Sequence, residues 1–204
     1  ARRFFEKEFP DALELIDDFD SQYDEHPIGQ LATIRTDNWH AGGMALLMGD
    51  AAHAIVPFHG QGLNCCFEDC LALDALLEEE SDWEKVFRQF TAIRRSNADA
   101  IADMALENYV EMRDSVRHPR FLLQKEVALS LERRHPGRFI PRYSMVMFHA
   151  EIPYAIAQQR GAVQAVQARL VLAHLLQEHQ PVFVAHVGQV AEESAVGVWG
   201  SIAL

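Results

Sequence analysis

The most constraining feature of this sequence is a short apolar run, residues 44–48, that ends in a glycine and an aspartate, Gly49 and Asp50. An all-apolar run closed by a turn signal predicts a buried strand of a parallel sheet. The glycine lets a ligand approach the backbone closely, and the aspartate puts a carboxylate at the carboxyl end of the strand, where α/β sheets bind ligands. The run therefore predicts an α/β fold with a ligand site at Asp50.

A glycine-containing turn and a helix follow closely after this run. Pro57 fixes the loop, and Gly60 and Gly62 precede apolar positions at helical spacing over residues 63–77. The first N–H groups of a helix lack intrahelical partners and the helix dipole is positive there, so an electron-rich group is favoured. The glycine-aspartate pair alone is typical of an ordinary turn, and the segment from Gly60 to Gly62 alone is typical of an ordinary helix start. Together they indicate a binding site in which the carboxylate of Asp50 accepts hydrogen bonds from sugar-like hydroxyls.

The rest of the chain predicts few strands and many helices. Hydrophobic periodicity predicts helices over residues 2–17 with a break at Pro10, 82–95, 98–117, 121–133 and 161–179, a loop over 20–29, a strand over 31–36 and a β-leaning segment over 143–148. Strands and glycines precede residue 95 and almost only helices follow it. We therefore predict two parts, residues 1–95 and residues 96–204.

Charge and composition exclude several classes of protein. The formal net charge is −12, from 18 basic and 30 acidic side chains, and a negative field repels phosphate backbones, so we expect no nucleic-acid partner. No apolar stretch approaches the ~18 residues that span a bilayer, so we expect no membrane span and a cytoplasmic location. Cys65, Cys66 and Cys70 crowd one predicted helix without metal-ligand spacing. We predict no metal site and no covalent catalysis.

The stretch from the glycine-aspartate pair onward resembles the second flavin-binding motif of the class A flavoprotein aromatic hydroxylases. The matching residues are Gly49, Asp50, Pro57, Gly60, Gly62, Leu63 and Asn64. The resemblance implies that the aspartate holds the ribityl chain of FAD and that the turn and helix start lie beside the pyrimidine end of the flavin. It implies the carboxyl-terminal part of an FAD-binding Rossmann-like fold, with residues 1–95 in an FAD-binding and substrate domain and a mainly helical region after them.

Further blocks resemble the branch of this family that hydroxylates L-kynurenine to 3-hydroxykynurenine with FAD, NADPH and O₂. These blocks are residues 52–62, 67–70, 107–114 and 139–146. In that branch an asparagine and a tyrosine contact the amino-acid end of the substrate, which implies this role for Asn108 and Tyr143. Met112, one helical turn after the asparagine, would contact the substrate too. Phe58 and His59 would lie between flavin and substrate.

One element of such an enzyme does not occur in this sequence. A pyrophosphate cradle needs G-x-G-x-x-G, and Gly42, Gly43 and Gly49 have the wrong spacing. The resemblance therefore implies a carboxyl-terminal portion, with a missing amino-terminal segment or another chain supplying the cradle, and we expect residues 1–204 alone to retain no stoichiometric FAD. Two alternatives stay open: a non-catalytic fragment or helical binding module, and a sister flavin aromatic hydroxylase with another substrate.

Overall fold

The computed structural model describes residues 1–178, which form two compact units, residues 1–31 and the residues from 32 onward. The second unit contains every predicted site residue. Its elements are β1 His40–Ala41, β2 Ala45–Leu46, α4 Asp50–His53, a 3₁₀ turn Pro57–His59, α5 Gly62–Glu79, α6 Trp83–Asp114, a 3₁₀ turn Ser115–Arg117, α7 Pro119–Arg134, α8 Arg142–Phe148 and α9 Tyr154–Glu178. Residues 179–204 lie outside the described residues and include the last residue of the helix predicted over residues 161–179, which is otherwise confirmed within α9.

The first unit is a cluster of three short helices, α1 Arg2–Glu8, α2 Pro10–Leu15 and α3 Phe19–Glu25. The predicted break at Pro10 is confirmed, because this proline begins α2, where its missing N–H costs nothing. The predicted loop over residues 20–29 is wrong in its first half, which is helical in α3. Phe19 explains the difference, since it is buried with its ring centroid 4.7 Å from that of Phe5.

The predicted parallel strands are not found in the described residues. Residues 44–48 contribute only β2, which pairs antiparallel with β1 so that His40 lies opposite Leu46. Met44 in the turn between these strands is 90% exposed, and residues 31–36 form no strand. A two-glycine turn favours such a tight hairpin, which the apolar run alone did not indicate. The part of the chain described here is thus mainly helical with one small sheet, and a Rossmann-like sheet is not among its elements.

One long helix, α6, replaces the two helices that were predicted over residues 82–95 and 98–117. The side chain of Asp82 caps it by accepting hydrogen bonds from the N–H groups of Glu84 and Lys85. No glycine or proline interrupts the sequence between the two predicted segments, and Asn97 stays within the helix by donating to the carbonyl of Ile93. Residue 95, where the composition changes, lies inside α6.

The core of the second unit lies where α5, α6, α8 and α9 meet. Its largest fully buried side chains include Trp39, Phe90, Ile101, Met104 and Met145. The segment predicted as β-leaning, residues 143–148, is α8, because its inner face packs on this helical core rather than on a sheet. The helix predicted over residues 121–133 is confirmed as α7. Among the described helices, none combines the length and apolar character that crossing a bilayer requires.

Candidate functional site: a cofactor turn beside a cavity

The glycine-aspartate turn has a backbone conformation that only glycine adopts readily. Gly49 has φ 55° and ψ −141° and directly precedes α4. A Cβ atom at this position would also lie 3.0 Å from the sulfur of Cys66, in the second turn of α5. The turn therefore packs closely against α5, and a side chain at Gly49 would push the two apart.

The carboxylate of Asp50 is available for a ligand. Asp50 is exposed at the first position of α4, and within the described part of the chain its carboxylate accepts a hydrogen bond only from the thiol of Cys66, 3.9 Å from Oδ1. A thiol is a weak donor, so the carboxylate retains its capacity to accept hydrogen bonds from hydroxyl groups.

The second predicted cofactor segment forms a turn that leaves a helix start open. Pro57 begins a 3₁₀ turn, and Gly60 closes it with φ 65°, in the left-handed region. Helix α5 then starts at Gly62, and no side chain among residues 1–178 caps it, so its first N–H groups have no partner there. Leu63 and Asn64, the next two residues, are exposed. This open surface at the start of α5 can accept an electron-rich group.

The chemistry of the two segments is compatible with FAD, and the FAD-binding roles of their residues stay a prediction. Cys66 brings the glycine-aspartate turn against the first turns of α5, so a hydroxyl-accepting carboxylate and a set of free N–H groups belong to one surface. Apart from the immediate chain neighbours and the helix backbone, no described atom lies within 4 Å of the Cβ position at Gly60 or Gly62, which leaves the backbone there accessible to a flat ring. The donor and acceptor chemistry thus suits a ribityl chain at one end and a flavin ring at the other.

Gln61 holds this turn in place and was not singled out in the sequence. Its side chain is buried and its Oε1 accepts hydrogen bonds from Asn64 at 3.0 Å and from the hydroxyl of Tyr154 at 3.1 Å. Its Nε2 lies 3.2 Å from the sulfur of Met147. The residue between the two glycines therefore connects α5 with α8 and α9.

A cavity of about 570 Å³ adjoins the turn. Three of the five predicted substrate residues, His59, Asn108 and Tyr143, line it. Its volume is in the range of small-molecule sites. Other lining residues, which the sequence analysis did not single out, include Glu111, Phe121, Lys125, Phe139 and Arg142. Glu111 was detectable in principle, because it follows Asn108 by three positions on one helix face.

His59 forms the wall of the cavity nearest to the cofactor turn. Its ring stacks on that of Tyr143 with centroids 5.5 Å apart, and it is 6% exposed. Burial, together with the charges of Arg142 and Lys125, lowers the pKa of His59 below 6.5, against an opposing contribution from Glu111. The imidazole is therefore neutral at pH 7, and its Nδ1 has no hydrogen-bond partner in the described part of the chain.

Two ion pairs on one turn of α6 hold the cavity walls. Glu111 pairs with Lys125 of α7 at 2.7 Å, and Glu107 pairs with Arg142 of α8. Gly161 of α9 allows this arrangement, because a Cβ there would overlap the aliphatic part of Arg142. The cavity thus carries charges of both signs on partly apolar walls.

The remaining two predicted substrate residues point elsewhere. Phe58 packs on Tyr109 with ring centroids 4.6 Å apart, and its main-chain carbonyl accepts a 2.5 Å hydrogen bond from Asn108. Met112 is 56% exposed, with its sulfur 3.7 Å from the Asn108 amide nitrogen. Neither side chain lines the cavity. Both support Asn108 rather than face the open space.

A buried polar cluster lies directly behind the glycine-aspartate turn. His53, Cys65 and Asp69 offer three potential metal ligands within 4.8 Å of one another. The guanidinium of Arg94 already lies against the Asp69 carboxylate at 2.7 Å and against the Cys65 sulfur at 3.4 Å. Burial raises the pKa of the Cys65 thiol to about 12, so the sulfur stays protonated. With a protein cation in place and no thiolate, this donor set does not suit a metal ion.

Comparisons with known proteins find a matching family model and curated relatives. A family model described as an FAD binding domain matches residues 7–105. Kynurenine 3-monooxygenase of Myxococcus xanthus (strain DK1622) is 54% identical over 160 residues, which cover 78% of this chain and 34% of that protein. The protein of the same name from Stenotrophomonas maltophilia (strain K279a) is 52% identical over 164 residues, 80% of this chain and 36% of that protein.

The chain spans about a third of the length of the curated relatives it matches. Identity above 50% over about four fifths of the chain is far beyond chance. The chain is therefore related in sequence to the kynurenine 3-monooxygenases, with a match to an FAD binding domain over residues 7–105.

Proposed function

We propose that the intact protein hydroxylates L-kynurenine to 3-hydroxykynurenine with FAD, NADPH and O₂. The observation that carries the proposal is the position of His59, which lines the cavity and is the last residue of the 3₁₀ turn that Gly60 closes, within the predicted cofactor segment. A substrate in the cavity and a flavin on the turn would therefore be neighbours. The names of the relatives support the choice of substrate.

The residues of the turn would hold the cofactor. When bound, FAD reduced by NADPH supplies the activation of O₂ for insertion of one oxygen atom into an aromatic ring. Asp50 would accept hydrogen bonds from the ribityl hydroxyls. The free N–H groups at the start of α5 would stabilise negative charge on the ring, because the helix dipole is positive at this end.

The cavity would orient an aromatic amino acid. Because the Asn108 amide nitrogen donates to the carbonyl of Phe58, its Oδ1 is left to accept a hydrogen bond from the ligand. The hydroxyl of Tyr143 can donate or accept at the same wall. The Glu111–Lys125 pair offers one charge of each sign, which complements a zwitterion. Phe121 and Phe139 provide apolar walls for the ring and exclude water.

Substrate-dependent NADPH oxidation by the intact, FAD-loaded protein tests the proposal. Kynurenine should stimulate oxidation and yield a product heavier by one oxygen atom, whereas anthranilate and p-hydroxybenzoate should not. Faster product formation from either of these compounds would favour a sister aromatic hydroxylase. Bound FAD without hydroxylation of any of the three would favour the non-catalytic alternative.

A further inference from the structure

The glycine-aspartate turn is held from behind by a single carboxylate, that of Asp69 on α5. Its Oδ2 accepts a hydrogen bond from the main-chain N–H of Gly49 at 3.0 Å and another from the imidazole of His53 at 2.6 Å. Gly49 directly precedes α4 and His53 is its last residue. One oxygen atom therefore fixes both ends of the short segment that carries Asp50.

The other oxygen of this carboxylate is held just as firmly. Oδ1 accepts from Nε of Arg94 at 2.7 Å, and the same guanidinium also binds Glu68 and the carbonyl of Cys65. Arg94 projects from α6, so the carboxylate joins α4, α5 and α6. Asp69 is fully buried, and His53 and Arg94 are 3% and 5% exposed.

The negative charge of Asp69 is compensated by its hydrogen-bond donors. Burial alone would raise the pKa of Asp69, but hydrogen bonds from His53, Arg94 and Gly49 outweigh it and hold this pKa below its usual value. The side chain is therefore an ion at neutral pH with three donors on its two oxygens. A buried ion pair of this kind contributes little net stability compared with apolar residues of similar volume. Its location behind the turn points instead to a geometric role.

We propose that Asp69 is a positioning residue for the cofactor: it sets the direction in which Asp50 presents its carboxylate to the ribityl chain of FAD. The inference rests on the proposed use of Asp50 in FAD binding. It concerns FAD alone, without kynurenine or NADPH, so a wrong substrate would leave it intact. A parent protein that binds no FAD would overturn both.

Asp69→Asn in the intact protein is the first test. An amide has one acceptor and one donor group, so either Arg94 or the pair Gly49 and His53 loses its acceptor whichever way the amide turns. We expect the dissociation constant for FAD to rise at least 10-fold. The return of free flavin fluorescence on dilution measures this change. The visible circular dichroism of the remaining bound flavin should also change, because the ribityl chain is held differently.

Glu68→Gln is the matched control, because it removes an ion pair from the same arginine without contacting Gly49 or His53. We expect its FAD affinity to stay within about 3-fold of the parent. The thermal midpoint of the FAD-free protein is measured for both variants. If the loss of FAD affinity is proportional to the loss of thermal stability, and to the same degree in both variants, the positioning role is overturned.

A second pair of variants decides the matter if Asp69→Asn fails to fold. His53→Ala removes one of the two donors to Oδ2, whereas His53→Gln keeps an N–H group that can reach the carboxylate. We expect weaker FAD binding in the alanine variant and recovery of at least half of that loss, on a logarithmic scale, in the glutamine variant. Parental affinity in both, or equal loss in both, would contradict the proposal.

Discussion

The hydroxyl of Tyr154 donates a hydrogen bond of 3.1 Å to the side-chain carbonyl of Gln61, which joins the first residue of α9 to the residue before α5. Both side chains are buried, and burial raises the pKa of the Tyr154 hydroxyl above its ordinary value, so it remains a donor throughout the physiological pH range. The turn predicted to receive the flavin thus depends on a helix more than 90 residues later in the chain.

Removal of this hydroxyl should destabilise the fold measurably. Tyr154→Phe leaves Gln61 with only Asn64 as a donor to its carbonyl, and we expect a loss of about 1 kcal/mol in the free energy of unfolding. Urea unfolding at constant m-value measures the change. Tyr23→Phe, at an exposed tyrosine, is the control. Equal stability of parent and Tyr154→Phe would show that the hydrogen bond makes no net contribution.

The carboxylate of Asp50 should determine the retention of FAD. We expect Asp50→Ala in the intact protein to weaken FAD binding by about 10- to 100-fold, the range for one charge-assisted hydrogen bond. Equilibrium titration with flavin fluorescence measures the effect. Asp74→Ala, which removes an exposed carboxylate later on α5, should retain parental affinity. A variant at Asp50 that keeps stoichiometric FAD through gel filtration would rule out the ribityl role.

The polar residues of the cavity should affect substrate binding rather than FAD. We expect Asn108→Ala and Tyr143→Phe each to raise the kynurenine KM by an amount equivalent to about 1–3 kcal/mol, because each removes a polar partner of a polar ligand. The absorbance spectrum of bound FAD should not change. Gln89→Ala, an exposed amide on the same helix, is the control. Unchanged kinetics in both cavity variants would contradict the assignment.

The buried histidine of the cavity should make stability fall in acid. Because burial, Arg142 and Lys125 lower the pKa of His59, the unfolded chain takes up a proton near pH 6.5 before the folded protein does. The stability associated with the neutral imidazole is complete above about pH 6.5 and is lost as pH falls towards the lower folded pKa. The slope for one group cannot exceed about 1.4 kcal/mol per pH unit.

The measurement compares unfolding free energies at several pH values from about 7.5 to about 5. The parent should lose stability more steeply than His59→Asn over this window, whereas His135→Asn, at an exposed position, should follow the parent. Parallel curves for the parent and His59→Asn would show that this imidazole does not titrate differently on folding.

Substitutions at two glycines should affect the cofactor surface and the cavity separately. Gly49→Ala forces a side chain into a backbone region reserved for glycine and against the sulfur of Cys66, so we expect loss of FAD affinity and about 1–3 kcal/mol of stability. Gly161→Ala displaces Arg142, so we expect a raised kynurenine KM with FAD retained. Measurement of both quantities in both variants tests the separation; FAD loss in Gly161→Ala would contradict it.

The sequence pattern was most informative for the cofactor turn, whose residues are adjacent in the chain. The turn from Pro57 to the start of α5 was predictable, because proline and glycine restrict backbone angles and a helix start exposes N–H groups whatever surrounds it. The roles of Asn108 and Tyr143 came only from the resemblance. Their position at one cavity agrees with those roles, which remain predictions.

Long-range contacts decided the rest. The run at residues 44–48 predicts a buried strand by composition, but a strand is defined by its partner, and the partner here is the preceding segment in a small antiparallel hairpin. The bond from Asp69 to Gly49 joins residues 20 positions apart, and the bond from Arg94 to Asp69 joins residues 25 apart. The sequence by itself determined the chemistry of the turn, whereas only the tertiary structure decided what holds it, because hydrogen bonds between distant residues leave no periodic signal along the chain.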